Sequence, residues 1–468
     1  MSALLLTLFA TSCKEDLLNT APANAQSEAD FFSKTGRQQE ILTAAYKDLV
    51  DNNFLGGSVQ TINEVWSDNV YVAPGTSYIT YYNHILGDIF NDAFNGAIMG
   101  AMGRACRDAN YAIYGVEKYG TKLGEGDKKR IVAEAKFIRA VAHFETVRVF
   151  AQPYGSTANS THPGIAIRNS WEVTVVPRAS VADVYSFIES NLRDAIADLP
   201  ATSSNSSTAS ATIAKAYLAK VLFQENKYQE AYDMANAVLA TGIQADSVQY
   251  RFSDNTHTAN SGGIFSLTYL PFGTSSNDSP FTFDIAKRYA PPSLTASPDL
   301  QVVQAVYDLL GTTDTLRKKA WFKSAGKYFT LKKYPTDGHH FMNAVHWAEI
   351  ILISAESAVE TGQTATGLAA LNELRTKRSL VALGNSLSAA DLIRTIRDER
   401  RLELVGEGNR IQDLKRIGAA SARGLTKASD SPKVRSAPWD CPGMLLQISS
   451  AEMAASSNYP PNPTGSCN

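Results

Sequence analysis

The run IRDERRLELVGEGNRIQDLKR, residues 396–416, sets Glu399, Arg400, Arg401, Glu403, Glu407, Arg410, Asp413 and Arg416 largely three and four residues apart. That is the spacing at which opposite charges meet on helices. Upstream, Ser388 and Asp391 make a capping-box-like start. A helix is therefore expected from Ser388 through Leu404, ended by Gly406 and Gly408. Arginine forks paired with carboxylates would lock helix ends and turns together. The block thus reads as architecture. A catalytic carboxylate pair is disfavoured, because every acid here has a nearby arginine that would keep it ionised and occupied.

Outward from this run, helical periods dominate and alternating strands are scarce. A second Ser-x-x-Asp start at Ser180 and Asp183 precedes Val181, Val184, Tyr185, Ile188, Leu192, Ile196 and Leu199, which repeat at i, i+3/i+4. Pro200 and the Ser/Thr/Asn-rich run 201–209 stop that helix. In 128–150, Ala133, Phe137, Ala140, Phe144 and Val147 share one side. Residues 211–241 and 346–376 read as helical hairpins, turning at Glu225-Asn226-Lys227 and at Thr361-Gly362. Ala219 and Ala231 are twelve residues apart, and so are Ala355 and Gly367. This spacing is similar to the tetratricopeptide pattern, in which small residues let two helices pack closely. The expected fold is mainly α, with a right-handed, TPR-like scaffold over about 31–50, 85–150, 180–241 and 346–416 of a single body at 31–468.

Residues 51–84 and 250–345 differ, being rich in Gly, Ser, Asn, Pro and aromatics. Loop-rich excursions from a rigid scaffold are where binding residues concentrate, so these two stretches are expected to form one variable lobe carrying the ligand face. Candidate ligand residues are Trp66, Asp68, Asn69, Tyr71, Tyr78, Tyr81 and Tyr82 in the first stretch, and Tyr269, Phe272 and Tyr289 in the second. Tyr78 and Tyr81 are preferred, because polar neighbours surround them.

Three blocks carry a resemblance to a known family. Glu134-Ala-Lys-Phe-Ile-Arg-Ala140, with Phe144, Phe150 and Pro153-Tyr154, resembles the first conserved block of the SusD/RagB lipoproteins. Trp347-Ala-Glu-Ile-Ile-Leu-Ile-Ser-Ala-Glu356, followed by Leu371-Asn372 and Arg375, resembles the second. The run 396–416 follows the most specific one, E-R-R-x-E-L-x-x-E-G-x-R-x-x-D-L-x-R. Trp347 stands where the family commonly has Arg, no Gly follows Phe150, and Asn462-Pro463 only loosely echoes the closing motif. The resemblance implies a SusD-like fold and no cofactor. It also implies cell-surface binding of glycans, delivered to a SusC-like TonB-dependent transporter. RagB-like relatives imply peptide uptake instead, and an adaptor without a small ligand is the remaining alternative. For a glycan the aromatics have a physical rationale. Apolar sugar faces pack on flat rings, while hydroxyls bond to Asn, Asp, Arg and Gln at the rim.

The N-terminus agrees with export. Leu4–Ala10 is a short apolar run ending in Ala10-Thr11-Ser12-Cys13. It is far shorter than the roughly 20 residues a membrane span needs and suits the h-region of a signal peptide. The pattern resembles a lipobox: residues 1–12 a signal peptide, Cys13 the lipidated residue, 13–30 a linker, and Lys14-Glu15-Asp16 similar to a surface-export tag. The expected location is the outer membrane, lipid-anchored and facing outward. A net charge of −2 and 44% hydrophobic residues argue against a nucleic-acid surface and permit a proper core. Cys441 and Cys467 either bridge in an oxidising compartment or stand as two thiols, and Cys106 reads as a buried thiol. His339-His340 and His346 read as ordinary loop positions rather than metal ligands. Loop Asp and Asn residues leave a structural calcium open, without a recognisable ligand loop. No Gly-x-Ser-x-Gly, P-loop or His-Glu-x-x-His occurs, so an enzyme is not expected. Replacing Cys13 by Ser should move the protein from the membrane fraction to the soluble fraction and abolish incorporation of labelled palmitate.

Overall fold

A computed structural model describes residues 26–82, 92–203, 206–243, 248, 263–267, 284–289, 298–326, 328–334, 342–425, 433–455, 459–465 and 467. Cys13, His339 and His340 lie outside them. The scaffold begins with α1 (Glu28–Ser33), α2 (Arg37–Leu49) and α3 (Ser58–Trp66), then strand β1 (Val70–Val72) and α4 (Ile79–Tyr82). Two long helices follow, α5 (Asp92–Tyr119) and α6 (Glu125–Phe150), then β2 (Pro163–Ala166), β3 (Arg178–Ser180), α7 (Val181–Asp198), α8 (Ala211–Gln224) and α9 (Tyr228–Leu239). The second excursion holds β4 (Gly263–Leu267), α10 (Asp284–Tyr289), β5 (Leu300–Val302), α11 (Gln304–Asp308), α12 (Thr315–Trp321), β6 (Phe322–Ala325), β7 (Tyr328–Leu331) and β8 (Met342–His346). The chain closes with α13 (Trp347–Glu360), α14 (Thr364–Lys377), α15 (Ala389–Glu403), α16 (Arg410–Ile417), β9 (Ser421–Leu425), β10 (Lys433–Ala437) and α17 (Ser450–Ala455).

The helices form one continuous array. α2 packs on α5, α5 on α6, and so on through α7, α8 and α9; α9 then packs on α13, and α13 on α14 and α15. The two excursions are thus insertions into an unbroken stack. Ser180 and Ser388 cap α7 and α15, each accepting the backbone N–H three residues on, from Asp183 and Asp391 at 3.1 Å. The hairpin turns are where the residue types place them, with Asn226 at φ 60° and Gly362 at φ 83°. Gly367 is required by close approach, since a Cβ there would lie 2.7 Å from the Ala355 carbonyl oxygen and nearer still to Val359. Trp347 is buried and joins Leu352, Leu371, Leu392 and Ile396 in a second apolar cluster between α13, α14 and α15.

The structure differs from the sequence reading in the first excursion. Residues 58–66 form a helix that is buried at every position but Gln60, packed against α6, α10 and α16. Its polar residues Thr61, Asn63 and Glu64 are buried too, which is why composition alone made it look like loop. Strands are short but decisive. Among the described residues β1, β5, β7 and β6 form one antiparallel sheet in that order, beside three two-stranded pairs.

The charged block at 396–416 is architectural, and apart from the Arg400–Asp413 pair its partners lie outside the run rather than three or four residues off. Glu403 is fully buried and accepts from Arg378 at 2.7 and 2.8 Å and from Arg317 at 2.7 Å. Arg400 pairs with Asp413 at 2.9 Å and Glu349 at 3.2 Å, and Arg416 with Glu356 at 2.9 Å. Cys441 and Cys467 are bridged, their Cα atoms 5.5 Å apart. Asn462, whose motif match was loose, is buried and donates to the Phe150 and Leu446 carbonyls at 2.6 and 2.7 Å, seating the tail on α6. Among the described residues no helix is long and apolar enough to cross a membrane. Glu403→Gln should cost about 3 kcal/mol of stability, because it leaves buried arginine charge uncompensated; urea denaturation measures it.

Candidate ligand-binding face

β1 shows why a strand of three residues can carry a site. Val70 and Val72 point into the core and Tyr71 points out, the period-two alternation of a half-buried strand. β5 repeats it, with Leu300 and Val302 buried and Gln301 half-buried, and so does β7, with Phe329 and Leu331 in and Tyr328 and Thr330 out. The register places Tyr71 opposite Gln301 and Lys323 opposite Thr330. The outer face of this sheet therefore holds Tyr71, Gln301, Tyr328, Thr330 and Lys323 together. Across it Tyr71 and Tyr328 stack, centroids 4.2 Å apart and planes 6° from parallel. Tyr82 abuts Tyr71 edge-on at 6.4 Å. Burial and the neighbouring Tyr71 raise the Tyr328 phenol above its ordinary range, so it remains a hydrogen-bond donor. Two half-buried parallel rings with an amide, a hydroxyl and an ammonium beside them can take an apolar ring face and hold its hydroxyls.

A second aromatic group adjoins α4. Tyr78 and Tyr81 lie 6.5 Å apart, with Phe94 at 6.1 and 5.7 Å. Arg288 sits 4.9 Å above the Tyr78 ring and pairs with Asp299 at 2.7 Å. Tyr81 is half-buried, whereas Tyr78 and Tyr82 are buried, at 5% and 3% exposure.

Several expected ligand residues serve the core instead. Trp66 ends α3 with no exposed surface, under the Lys415 ammonium at 5.0 Å. Asp68 is paired with Arg410 at 2.7 Å and Arg401 at 3.4 Å. Asn69 is fully buried and accepts from Arg401 Nε at 2.7 Å. Tyr289 is fully buried, stacks on Tyr334 at 6.0 Å and donates to Glu64 at 3.0 Å. Each is occupied by partners distant in sequence, which come from α15 and α16 for Trp66, Asp68 and Asn69 and from the excursions for Tyr289. Tyr269 and Phe272 lie outside the described residues. Tyr328 was missed, although the alternation in Tyr328-Phe-Thr-Leu331 marks an outward aromatic.

Cys106 is buried, and burial pushes its thiol up to about 12. His346 caps α13 by accepting the Ala348 N–H at 3.0 Å. Among the described residues no group of three or more His, Cys, Asp or Glu is placed to hold a metal.

Residues 318–461 match the family model described as the SusD family, and residues 16–223 match one described as starch-binding associating with outer membrane. The chain belongs to the SusD family. Its fold is similar to that of a SusD superfamily protein from Bacteroides thetaiotaomicron VPI-5482, with a TM-score of 0.78 and 22% identity over 91% of this chain and 99% of that one. A putative sugar binding protein from Bacteroides vulgatus ATCC 8482 gives a TM-score of 0.77 and 21% identity over 92% and 98% of the two chains. A laminarin binding SusD-like protein gives 0.69 and 20% over 92% and 99%. No curated protein matches the chain.

One feature beneath the sheet yields a pH effect. Burial raises the Glu64 carboxyl from an ordinary 4.5 to about 7, against the lowering effect of the Gly408 N–H and the Tyr289 hydroxyl. Gly408 reaches it only because φ is 76° and a Cβ would stand 2.9 Å from Gln60 Cα. A raised folded-state value stabilises the fold fully below the unfolded value, and that contribution is lost as pH rises through about 7. Between pH 4.5 and 7 the stability of wild type should fall relative to Glu64→Gln, as measured by urea denaturation at several pH values.

Proposed function

We propose that this protein binds glycans at the outer surface of the outer membrane and passes them to a SusC-like TonB-dependent transporter, with Cys13 as its lipid anchor and no chemistry performed on the ligand. The observation that carries the binding half is the Tyr71–Tyr328 stack on the solvent-side face of the sheet, rimmed by Gln301, Thr330 and Lys323. The family's association with the outer membrane supports the location, and the sugar-binding and laminarin-binding names of two structural neighbours support the ligand class. Tyr81, at the edge of the second aromatic group, extends the face.

Affinity electrophoresis of the soluble domain against a polysaccharide panel including laminarin and starch tests this reading. Binding to at least one is expected. Tyr71→Ala and Tyr328→Ala should each weaken it about tenfold, roughly 1.4 kcal/mol per aromatic platform, while leaving the denaturation midpoint close to wild type. Retention of peptides with no polysaccharide bound would overturn the glycan assignment in favour of the RagB-like one. Co-purification of a large β-barrel partner on the wild-type protein from outer membranes tests the transporter half.

A further inference from the structure

The basic residues of this chain are unevenly placed. Overall 44 lysines and arginines face 46 aspartates and glutamates, yet residues 315–336, TLRKKAWFKSAGKYFTLKKYPT, hold seven basic residues and no acidic one. This stretch builds α12, β6 and β7, and so the part of the sheet that carries Tyr328. Arg317 and Lys333 are buried and spent on the junction with the scaffold, Arg317 on Asp314, Glu399 and Glu403, and Lys333 on Glu407 at 2.9 Å. Lys318, Lys319, Lys323 and Lys332 remain partly or fully exposed, and none of them meets a carboxylate among the described residues. On the scaffold, by contrast, Lys118, Lys128, Lys136 and Lys227 each pair with one.

Two of these lysines belong to the ring-bearing face. The register of β6 on β7 sets Ala325 opposite Tyr328 and Lys323 opposite Thr330. Lys323 is therefore the diagonal neighbour of Tyr328, a separation that a long side chain spans. Lys332 takes the next outward position after Tyr328 and Thr330, where its backbone N–H prolongs the ladder by bonding the Trp321 carbonyl at 2.7 Å. Its ammonium donates to the Lys319 carbonyl at 2.7 Å, and that of Lys318 to the Gly311 carbonyl. The last turn of α12 gives Lys318 and Lys319 a structural reason to be basic. Carbonyls are neutral, however, and leave every one of these charges uncompensated. Lys323 lies beyond the helix and has no protein partner at all. The acids that border the sheet do not supply the balance. Asp68 and Asp299, which lead into β1 and β5, are each held by an arginine at 2.7 Å. The four strands contain no carboxylate, and Asp308 is the exposed acid left among the described residues of α11, α12 and the sheet.

We infer that the glycan taken by this face is anionic: sugars bearing carboxylate or sulfate groups stack on Tyr71 and Tyr328, while Lys323 and Lys332 pair with those groups and set the preference over neutral sugars. The inference rests on the glycan reading of this face and adds the charge of the ligand to it. Uncompensated like charges repel one another, and a polyanion lying across them removes that repulsion and is steered toward them. The stacked rings with Gln301 and Thr330 beside them suit a hydroxylated ring, which favours a sugar polyanion over an acidic peptide.

Affinity electrophoresis of the soluble domain in gels holding polygalacturonate, alginate, a sulfated galactan, laminarin or starch tests this. Stronger retardation by a uronate or a sulfated polymer than by the neutral laminarin and starch is expected, and which of the two anionic types binds identifies the charged group. Raising sodium chloride to about 0.3 M should weaken that binding several-fold, because exposed ion pairs are screened. In Lys323→Gln/Lys332→Gln the affinity for the anionic polymer should fall about tenfold, roughly threefold per lysine, and its salt dependence should flatten. Lys323→Arg/Lys332→Arg keeps the charge and should keep both. Neutral polymers bound as well as anionic ones, salt-independent binding, or full anionic affinity in the double Gln variant overturns the inference and leaves the glycan reading standing. Retention of none of the polysaccharides overturns both, whether or not an acidic peptide binds. If the double Gln variant does not fold, the salt dependence and polymer preference of wild type decide.

Discussion

A single carboxylate with no exposed surface, Glu403, is held by Arg378 on both its oxygens and by Arg317 on one. A charge taken out of water costs several kcal/mol unless pairing and hydrogen bonds repay it. The carboxylate is stable only if α15 brings it to arginines from the end of α14 and from α12. The requirement is mutual, because Arg317 and Arg378 are also buried. None of the three can be desolvated before the others arrive. This makes the junction of scaffold and inserted lobe all-or-none, where an apolar contact would tolerate slippage.

The same helix carries that constraint toward the candidate ligand face. On its scaffold side Arg400 reaches α13 and α16, and Arg397 reaches Glu356 and Glu360 on α13. On its lobe side Arg401 donates to the Asp68 carbonyl and the Asn69 side chain, three and two residues ahead of Tyr71. Arg317, clamped by Glu399 and Glu403, stands at the start of the segment that becomes β6. The two flanks of the sheet, β1 and β6, are thus both tied to α15. A stacked tyrosine pair spanning that sheet needs its strands held in register, and buried guanidinium–carboxylate geometry is more directional than apolar packing.

This dual anchoring explains the division among the candidate aromatics. Tyr289 and Trp66 sit over the junction, where the lobe closes on the scaffold, and so they are desolvated. Tyr71 and Tyr328 sit on the opposite side of the strands, where the pleat turns them outward. Asp68 and Asn69, polar and next to Tyr71, have the character of rim residues but are consumed by Arg401 and Arg410. A polar side chain in an excursion is free for a ligand only where the scaffold presents no charge that claims it first.

The helical array, its caps at Ser180 and Ser388, its hairpin turns and the close approach at Gly367 were all legible in the sequence, because periodicity, capping and small-residue spacing are local properties. The charged run 396–416 also announced its structural character by composition. Its partners were not legible. Arg317, Arg378, Glu349, Glu356 and Asp68 are set by which segments meet in space. Tertiary structure likewise decided which aromatics make up the candidate ligand face. Strands of three and four residues leave too short an alternation to read with certainty, and which face of Tyr71 meets water depends on strands β5 and β7, more than two hundred residues downstream. The sequence by itself determined a helical stack with aromatic-rich insertions; only the folding of those insertions onto α15 determined which aromatics remain available to a ligand, since burial is a property of the assembled surface and not of any one residue.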